Sequence, residues 1–310
     1  MAMEEKERLR SPSVWLPRDP GEAVRLKEAF GGDAVYVAGS TLLRTQWEAG
    51  TAPVPAHLID LASIPGLDRI EETDDGLVIG SLARLRDCAA HPAAAGKAPL
   101  LVSAVKAIAG ASVRNQATLG GNVVYRVGDS MPALLALDAE LIWHDGRTEE
   151  TIGAAEWLAG PSARPGILTA IRLPDRESGM TSNRRRWFAF HKVGRREAFV
   201  PSLVTVAIAA SVAPDGTIAD IRIAAGGGQT VPRRLTDAER LLAGRIPDAE
   251  LLEHVYDAAL EQYAPAPDPF AADSYRKRTA ANLIAAELWK SLREPDRAGK
   301  GDGDASESID

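Results

Sequence analysis

The chain has 310 residues, 45% of them hydrophobic, with a formal net charge of -7 and a sequence pI of about 5.4. That length buries a sizeable core and fits two or three lobes, while the acidic balance excludes a global field that would gather nucleic acid. Cys88 is the sole cysteine, which excludes an internal disulfide and any iron-sulfur cluster held by several thiolates of this chain.

No stretch approaches the roughly 18 uninterrupted apolar residues of a membrane span, and the charged start, Met1 to Arg10, lacks an apolar h-region. The default location is therefore cytoplasmic. The five histidines (His57, His91, His144, His191, His254) are scattered and none forms a His-x-x-x-His pair, so no protein-bound metal is expected.

Asp19 as an N-cap, Pro20 in the first turn, and Val24, Leu26, Ala29 and Phe30 near helical spacing predict a helix over 20–30. Ala34 to Ala38 reads as a strand that stops at Gly39-Ser40-Thr41, with a helix starting at Leu42. Leu58 to Leu61 and Leu77 to Ser81 read as short strands, Pro99 to Ala109 as an apolar helix, and Ala111 to Asn122 as an ordered loop. Met131 to Leu137 is apolar, and Ala139 to His144 reads as a strand. Trp187 to Val193, Leu203 to Val212 and Ile218 to Ala224 predict three antiparallel strands, the last two joined through Pro214-Asp-Gly-Thr217. Helices are expected over 249–263 and 274–292, forming an α+β lobe with that sheet. Residues 294–310 are nearly devoid of apolar side chains and are expected to be disordered.

Two glycine loops carry the chemistry. Gly39-Ser40-Thr41 ends a strand, where backbone amides and hydroxyls suit a phosphate. Thr118-Leu-Gly-Gly-Asn122 combines paired glycines, which allow close backbone approach, with two polar side chains. Together they suit a pyrophosphate held from two sides. Added β-carbons at Gly120 and Gly121 are expected to block that approach and spare the fold. Neither Gly-x-Gly-x-x-Gly nor a Walker A sequence is present.

The ordered segments Val37-Ala-Gly-Ser-Thr41, Ser112-Val-Arg-Asn-Gln-Ala-Thr-Leu-Gly-Gly-Asn122 and Asp129-Ser-Met-Pro-Ala-Leu-Leu-Ala-Leu-Asp138 make the chain resemble the FAD-binding medium subunit of molybdenum hydroxylases, of the xanthine dehydrogenase type. Ile171-Arg-Leu-Pro174 and Lys192-Val-Gly-Arg-Arg-Glu-Ala198 extend the resemblance. It implies a two-part FAD-binding domain of the vanillyl-alcohol-oxidase superfamily type over 11–182, with subdomains of about 11–65 and 66–182, followed by a small C-terminal α+β domain over 183–293. It also implies FAD contacts from Val37, Ala38, Gly39, Ser40, Thr41, Leu42 and Leu43, and from Thr118, Gly120, Gly121 and Asn122. Asp129 would lie near the ribityl and flavin end, Ile108 and Leu168 against the ring, and Lys192 beside its polar edge. No catalytic acid, base or nucleophile is assigned.

The chain departs from the family at Leu42, where a carboxylate is usual, and at Val123 to Gly128, which replaces an Asn-Ala-Ser-Pro segment. In such enzymes a large subunit holds molybdopterin, a small subunit carries two 2Fe-2S clusters, and the flavin subunit passes electrons onward, to NAD in the xanthine branch. Flavin subunits for carbon monoxide, nicotine, aldehyde and aromatic-CoA substrates are closely similar. A self-sufficient flavin oxidase and a flavin-free scaffold are the competing readings. Arg184-Arg185-Arg186 with Lys192, Arg195 and Arg196 forms a candidate docking or NAD-phosphate patch.

Overall fold

The computed structural model describes residues 11–161, 164–175, 183–196 and 202–293. The expected tail at 294–310, together with Glu197 and Ala198, lies outside the described residues. Three sheets organise the chain. The first is parallel, with β1 (Ser13–Trp15), β2 (Ala34–Val37) and β3 (His57–Asp60) in the order β1-β3-β2. Parallel neighbours need crossovers, and the helices Pro20–Phe30 and Thr41–Glu48 supply them. Asp19 caps the first of these, accepting from the Glu22 amide at 2.7 Å, and its Ala23 and Val24 pack beside Ala34 and Ile59.

The second sheet is antiparallel, with β4 (Ile70–Thr73), β5 (Gly76–Gly80), β6 (Glu140–His144), β7 (Glu149–Gly153) and β8 (Ile167–Pro174) in the order β4-β5-β8-β6-β7. Between β5 and β6 the chain leaves the sheet for a run of short helices that covers its apolar face. Leu77, Ile79, Leu141 and Ile171 pack there against Leu101, Val105, Leu119 and Leu134. Part of this run corrects the expected loop at 111–122, which is two helical turns, Ala111–Arg114 and Leu119–Val124. Local polar contacts hold them where apolar periodicity is absent. Arg114 donates to the carbonyls of Ile108 and Ala109 at 2.9 and 2.6 Å, and the Thr118 hydroxyl accepts from the Gly121 amide at 3.1 Å.

The third sheet is antiparallel and has four strands where three are predicted: β9 (Arg185–Gly194), β10 (Ser202–Val212), β11 (Ile218–Gly227) and β12 (Thr230–Arg234), in the order β12-β11-β10-β9. The missed strand carries Pro232 and two arginines. Its edge position explains the proline, because an edge strand tolerates a residue without an amide donor, while Arg233 is exposed and Arg234 is held by Asp138 and Glu239. The α+β class of the prediction holds. β10 is buried on both faces. One face meets Ala249–Gln262 and Asp273–Arg293, while Ala207 and Ala209 on the other pack against Leu100, Ala104, Ala133 and Ala136. Alanines on both sides let the sheet seat closely on the Pro99–Lys106 and Met131–Ala136 helices. Asp138, at the end of the latter, pairs with Arg222 at 2.8 Å and Arg234 at 2.7 Å.

Candidate functional site

A cavity of about 650 Å³ opens between the parallel sheet and the five-stranded sheet. Its size falls within the range of pockets that enclose a cofactor. Val37, Ala38, Gly39, Ser40, Thr41, Leu42 and Leu43 form one wall. Thr118, Gly120, Gly121 and Asn122 form the opposing wall, and Ile108 and Leu168 also line it. Four distant stretches of chain therefore meet around one space.

The two glycine loops divide their labour differently from the sequence expectation. At the first, Ser40 adopts a left-handed conformation (φ 52°) and makes no side-chain cap for the Thr41–Glu48 helix. The amides of Thr41, Leu42 and Leu43 thus have no backbone partner among the described residues. Uncapped first-turn amides carry the positive end of the helix dipole and suit an anionic oxygen.

At the second loop, the amides of Leu119, Gly120 and Asn122 already donate to Ala83, Ser81 and Thr118 carbonyls, at 2.9, 2.8 and 3.1 Å, and that of Gly121 to the Thr118 hydroxyl. This loop contributes closeness of approach, not donors.

The glycines follow suit. A β-carbon on Gly39 would lie 2.1 Å from the Gln116 carbonyl oxygen, so Gly39 lets one loop touch the other. One on Gly120 would lie 2.5 Å from the Ser81 carbonyl oxygen, which corrects the expectation that substitution there spares the fold. Gly121 is exposed towards the cavity, and its β-carbon would meet only the Thr118 hydroxyl, at 3.0 Å. Gly121→Val is accordingly expected to weaken FAD binding about tenfold or more, a loss of roughly 1.4 kcal/mol, with little change in the melting temperature of the flavin-free protein. Flavin-fluorescence titration beside a thermal melt checks it, and unchanged affinity contradicts it.

The departures from the family pattern also have structural answers. Leu42 presents an apolar, partly exposed side chain to the cavity in place of a carboxylate. The altered 123–128 segment is a tight turn around Asn122, whose Oδ1 accepts from the Ser130 amide and hydroxyl at 3.1 and 2.6 Å. Gly128 is required there, since its β-carbon would lie 2.2 Å from that same oxygen. Arg126, with φ 64°, donates to the carbonyls of Trp157, Leu158, Gly160 and Pro161 and so caps the Ala154–Ala159 helix.

Asp129 and Lys192 stand outside the lining. They pair with each other at 2.8 Å in a mostly buried setting, with Ser202 donating to Asp129 at 2.6 Å and Lys192 donating to the Ala107 carbonyl at 3.0 Å. Ala107 precedes the cavity residue Ile108, so the ammonium sits close behind the wall with its charge compensated.

Sequence reasoning missed Tyr36, Ser81, Trp143 and Trp157, which also line the cavity. Each has a buried polar atom (Tyr36 Oη, Ser81 Oγ, both indole Nε1) without a hydrogen-bond partner among the described residues. Such orphans are uncommon in folded proteins, and their gathering around one space fits a polar ligand in place. Burial, reinforced by the charge of Glu28, pushes the Tyr36 phenol up to about 12, so it keeps its proton and can donate. By contrast the only thiol is remote from any chemistry: burial first, and then Asp87, push Cys88 up to about 12, and the neutral thiol is a poor nucleophile and ligand. No cluster of three or more His, Cys, Asp or Glu residues at metal-binding distance occurs among the described residues. No helix there is long and apolar enough to cross a membrane.

Comparison with known proteins gives the family. Residues 8–176 match the family described as the FAD binding domain in molybdopterin dehydrogenase, and residues 188–290 match the CO dehydrogenase flavoprotein C-terminal domain. The chain is 30% identical over 236 residues to the nicotine 6-hydroxylase medium subunit of Paenarthrobacter nicotinovorans, covering 74% of this chain and 80% of that one. It is 29% identical over 280 residues to the carbon monoxide dehydrogenase medium chain of Hydrogenophaga pseudoflava, covering 88% and 94%. A solved carbon monoxide dehydrogenase from Hydrogenophaga pseudoflava superposes with a TM-score of 0.81 at 26% identity, over 89% of this chain and 96% of that one. With its glycine loops, cavity and both domains accounted for, the chain belongs to the FAD-binding medium subunits of the molybdenum hydroxylase family.

Proposed function

We propose that this chain is the flavin subunit of a multi-subunit molybdenum hydroxylase, taking electrons from 2Fe-2S clusters on a small partner subunit and passing them through FAD to an acceptor. The molybdopterin and the hydroxylation of substrate belong to a large partner subunit. One observation carries the reading: a cavity of cofactor size is lined by uncapped helix amides and orphaned buried polar atoms. No metal-ligating cluster is found among the described residues. Bound FAD supplies the capacity to accept single electrons and release a hydride.

The residues of this chain hold and shield it. The amides of Thr41 to Leu43 would offer donors to the pyrophosphate, and Gly121 would let the backbone come close to it. Ile108 and Leu168 would exclude water from the ring, and the Tyr36 hydroxyl would donate to the bound group. Lys192, balanced by Asp129, contributes a muted positive field behind the wall. Mass analysis of the released flavin tests the reading. FAD is expected, because the cavity spans both loops; recovery of FMN, or of no flavin from a folded sample, overturns it.

Xanthine or purine oxidation with NAD as acceptor, in the cytoplasm, is the finer form of this reading. The relatives named for nicotine and carbon monoxide favour a second form, in which the partner hydroxylates another substrate. The two differ in the substrate of the partner and in the acceptor. In either form the isolated flavin-loaded chain is expected to show no heterocycle oxidation, because the hydroxylating centre is elsewhere. The assay compares xanthine-dependent NAD reduction by the single chain and by the complex from its host. Turnover by the single chain promotes the self-sufficient oxidase; a complex that never reduces NAD removes the xanthine form.

A further inference from the structure

A second, smaller cleft of about 280 Å³ opens at the far end of β8, where the five-stranded sheet meets the start of β9. Leu173, Pro174 and Asp175 form one side, and Arg184, Arg186 and Phe188 the other. β8 reaches the flavin cavity through Ile167 and Leu168 at its opposite end, so at about 3.3 Å per residue the two sites are roughly 20 Å apart. The cleft is thus separate from the flavin cavity. The volume also falls below the roughly 300–1,000 Å³ of small-molecule pockets.

Several other cations of the basic patch and of this cleft are already engaged. Lys192 is bound to Asp129, and Arg195 lies over the Phe270 ring at 4.1 Å. In the cleft, Lys97 pairs with Asp175 at 2.9 Å and Arg222 with Asp220 at 2.7 Å. Neither Arg184 nor Arg186 has a carboxylate partner among the described residues, and Arg186 donates to the Lys97 carbonyl at 3.5 Å. Arg186 lies over the Phe188 ring at 5.1 Å. Both side chains line the cleft, so the two guanidinium groups share one space. Beside them runs a sheet edge: in the order β12-β11-β10-β9, β9 has a strand neighbour on one side only among the described residues. In a chain of net charge -7, two exposed arginines without a carboxylate partner among the described residues, beside that edge, have a definite complement.

We propose that this cleft docks an acidic, extended segment of a partner subunit, whose carboxylates, two residues apart, pair with Arg184 and Arg186 beside the β9 edge. Guanidinium forks suit carboxylates held in a bidentate pair, and a strand edge supplies backbone donors and acceptors to an added segment. The occupant is a polypeptide of the complex, so the inference rests on the proposed role as one subunit among several.

The test uses the complex purified through a tag on this chain. R184E/R186E is expected to lower the partner chains retained at about 0.15 M salt at least tenfold, with the FAD content per chain unchanged; both arginines are exposed, so the fold is kept. Retention equal to wild type overturns the inference while leaving the flavin reading intact. A wild-type chain that carries FAD and never retains partners overturns the inference together with the subunit reading. In a second arm, R186K in the assembled complex is treated with a carbodiimide, which joins an amine to an abutting carboxylate. A peptide crosslinked to an acidic stretch of a partner subunit supports the docking; a crosslink to residues 294–310 of this chain, or none, overturns it.

Discussion

Arg276→Ala is expected to lower the unfolding free energy of the C-terminal lobe by about 3–5 kcal/mol, the range for breaking a buried charge pair by removing one partner. The Arg276 side chain is fully buried, unusual for a group that is charged at any pH a protein experiences. Its guanidinium donates to the Leu203 carbonyl at the start of β10 and to the carboxylate of Asp268, and its Nε donates to Ala271 at 3.4 Å. Gly228, in a left-handed conformation, leaves it room, for a β-carbon there would lie 2.5 Å from Nη1. One side chain thus joins a strand start, a turn and a helix. Alanine abandons a carboxylate and a carbonyl, and lysine keeps the charge without the fork, so Arg276→Lys is expected to fall between. The urea midpoint reads the effect, and flavin content at low temperature controls for the remote cavity. A midpoint within experimental error of wild type contradicts the prediction.

Gly39→Ala is expected to weaken FAD binding by about 100-fold or more, equivalent to roughly 2.7 kcal/mol, and to lower the melting temperature of the flavin-free protein as well. The added carbon meets backbone, not a movable side chain: the Gln116 carbonyl oxygen at 2.1 Å and the Ala117 Cα at 2.9 Å. The loops must separate, and the Thr41–Glu48 amides then leave the wall that faces them. This double loss distinguishes Gly39 from Gly121, where the affinity changes and the fold does not. Flavin titration and a melt on both variants check the contrast. Equal melting temperatures for Gly39→Ala and wild type would show that the loops are not in mutual contact.

Local chemistry was enough wherever the deciding partners are close in the chain. Asp19, Pro20 and the spacing of Val24 to Phe30 specify a helix because a cap and its amide are three residues apart. The strand that stops at Gly39 was likewise readable, as were the long helices near the C-terminus. The order of the loop motifs carries the family resemblance that implies FAD, and the cavity assembles those same loops.

Tertiary structure decided what depends on contacts distant in sequence. Both glycines of the second loop look equivalent in the sequence, yet Gly120 faces Ser81 and Gly121 faces the cavity, because successive residues of a helical turn point in different directions. Asp129 and Lys192 each read as a flavin contact, but folding brings them to each other and lets a buried carboxylate compensate a buried ammonium. Trp143 and Trp157 carried no sequence signal for the site, since an indole on an apolar strand or helix looks like core until a cavity is seen beside its unpartnered nitrogen. β12 was hidden for a related reason: its Pro232 and arginines are unfavourable in a central strand, and only the sheet order reveals that it lies at an edge.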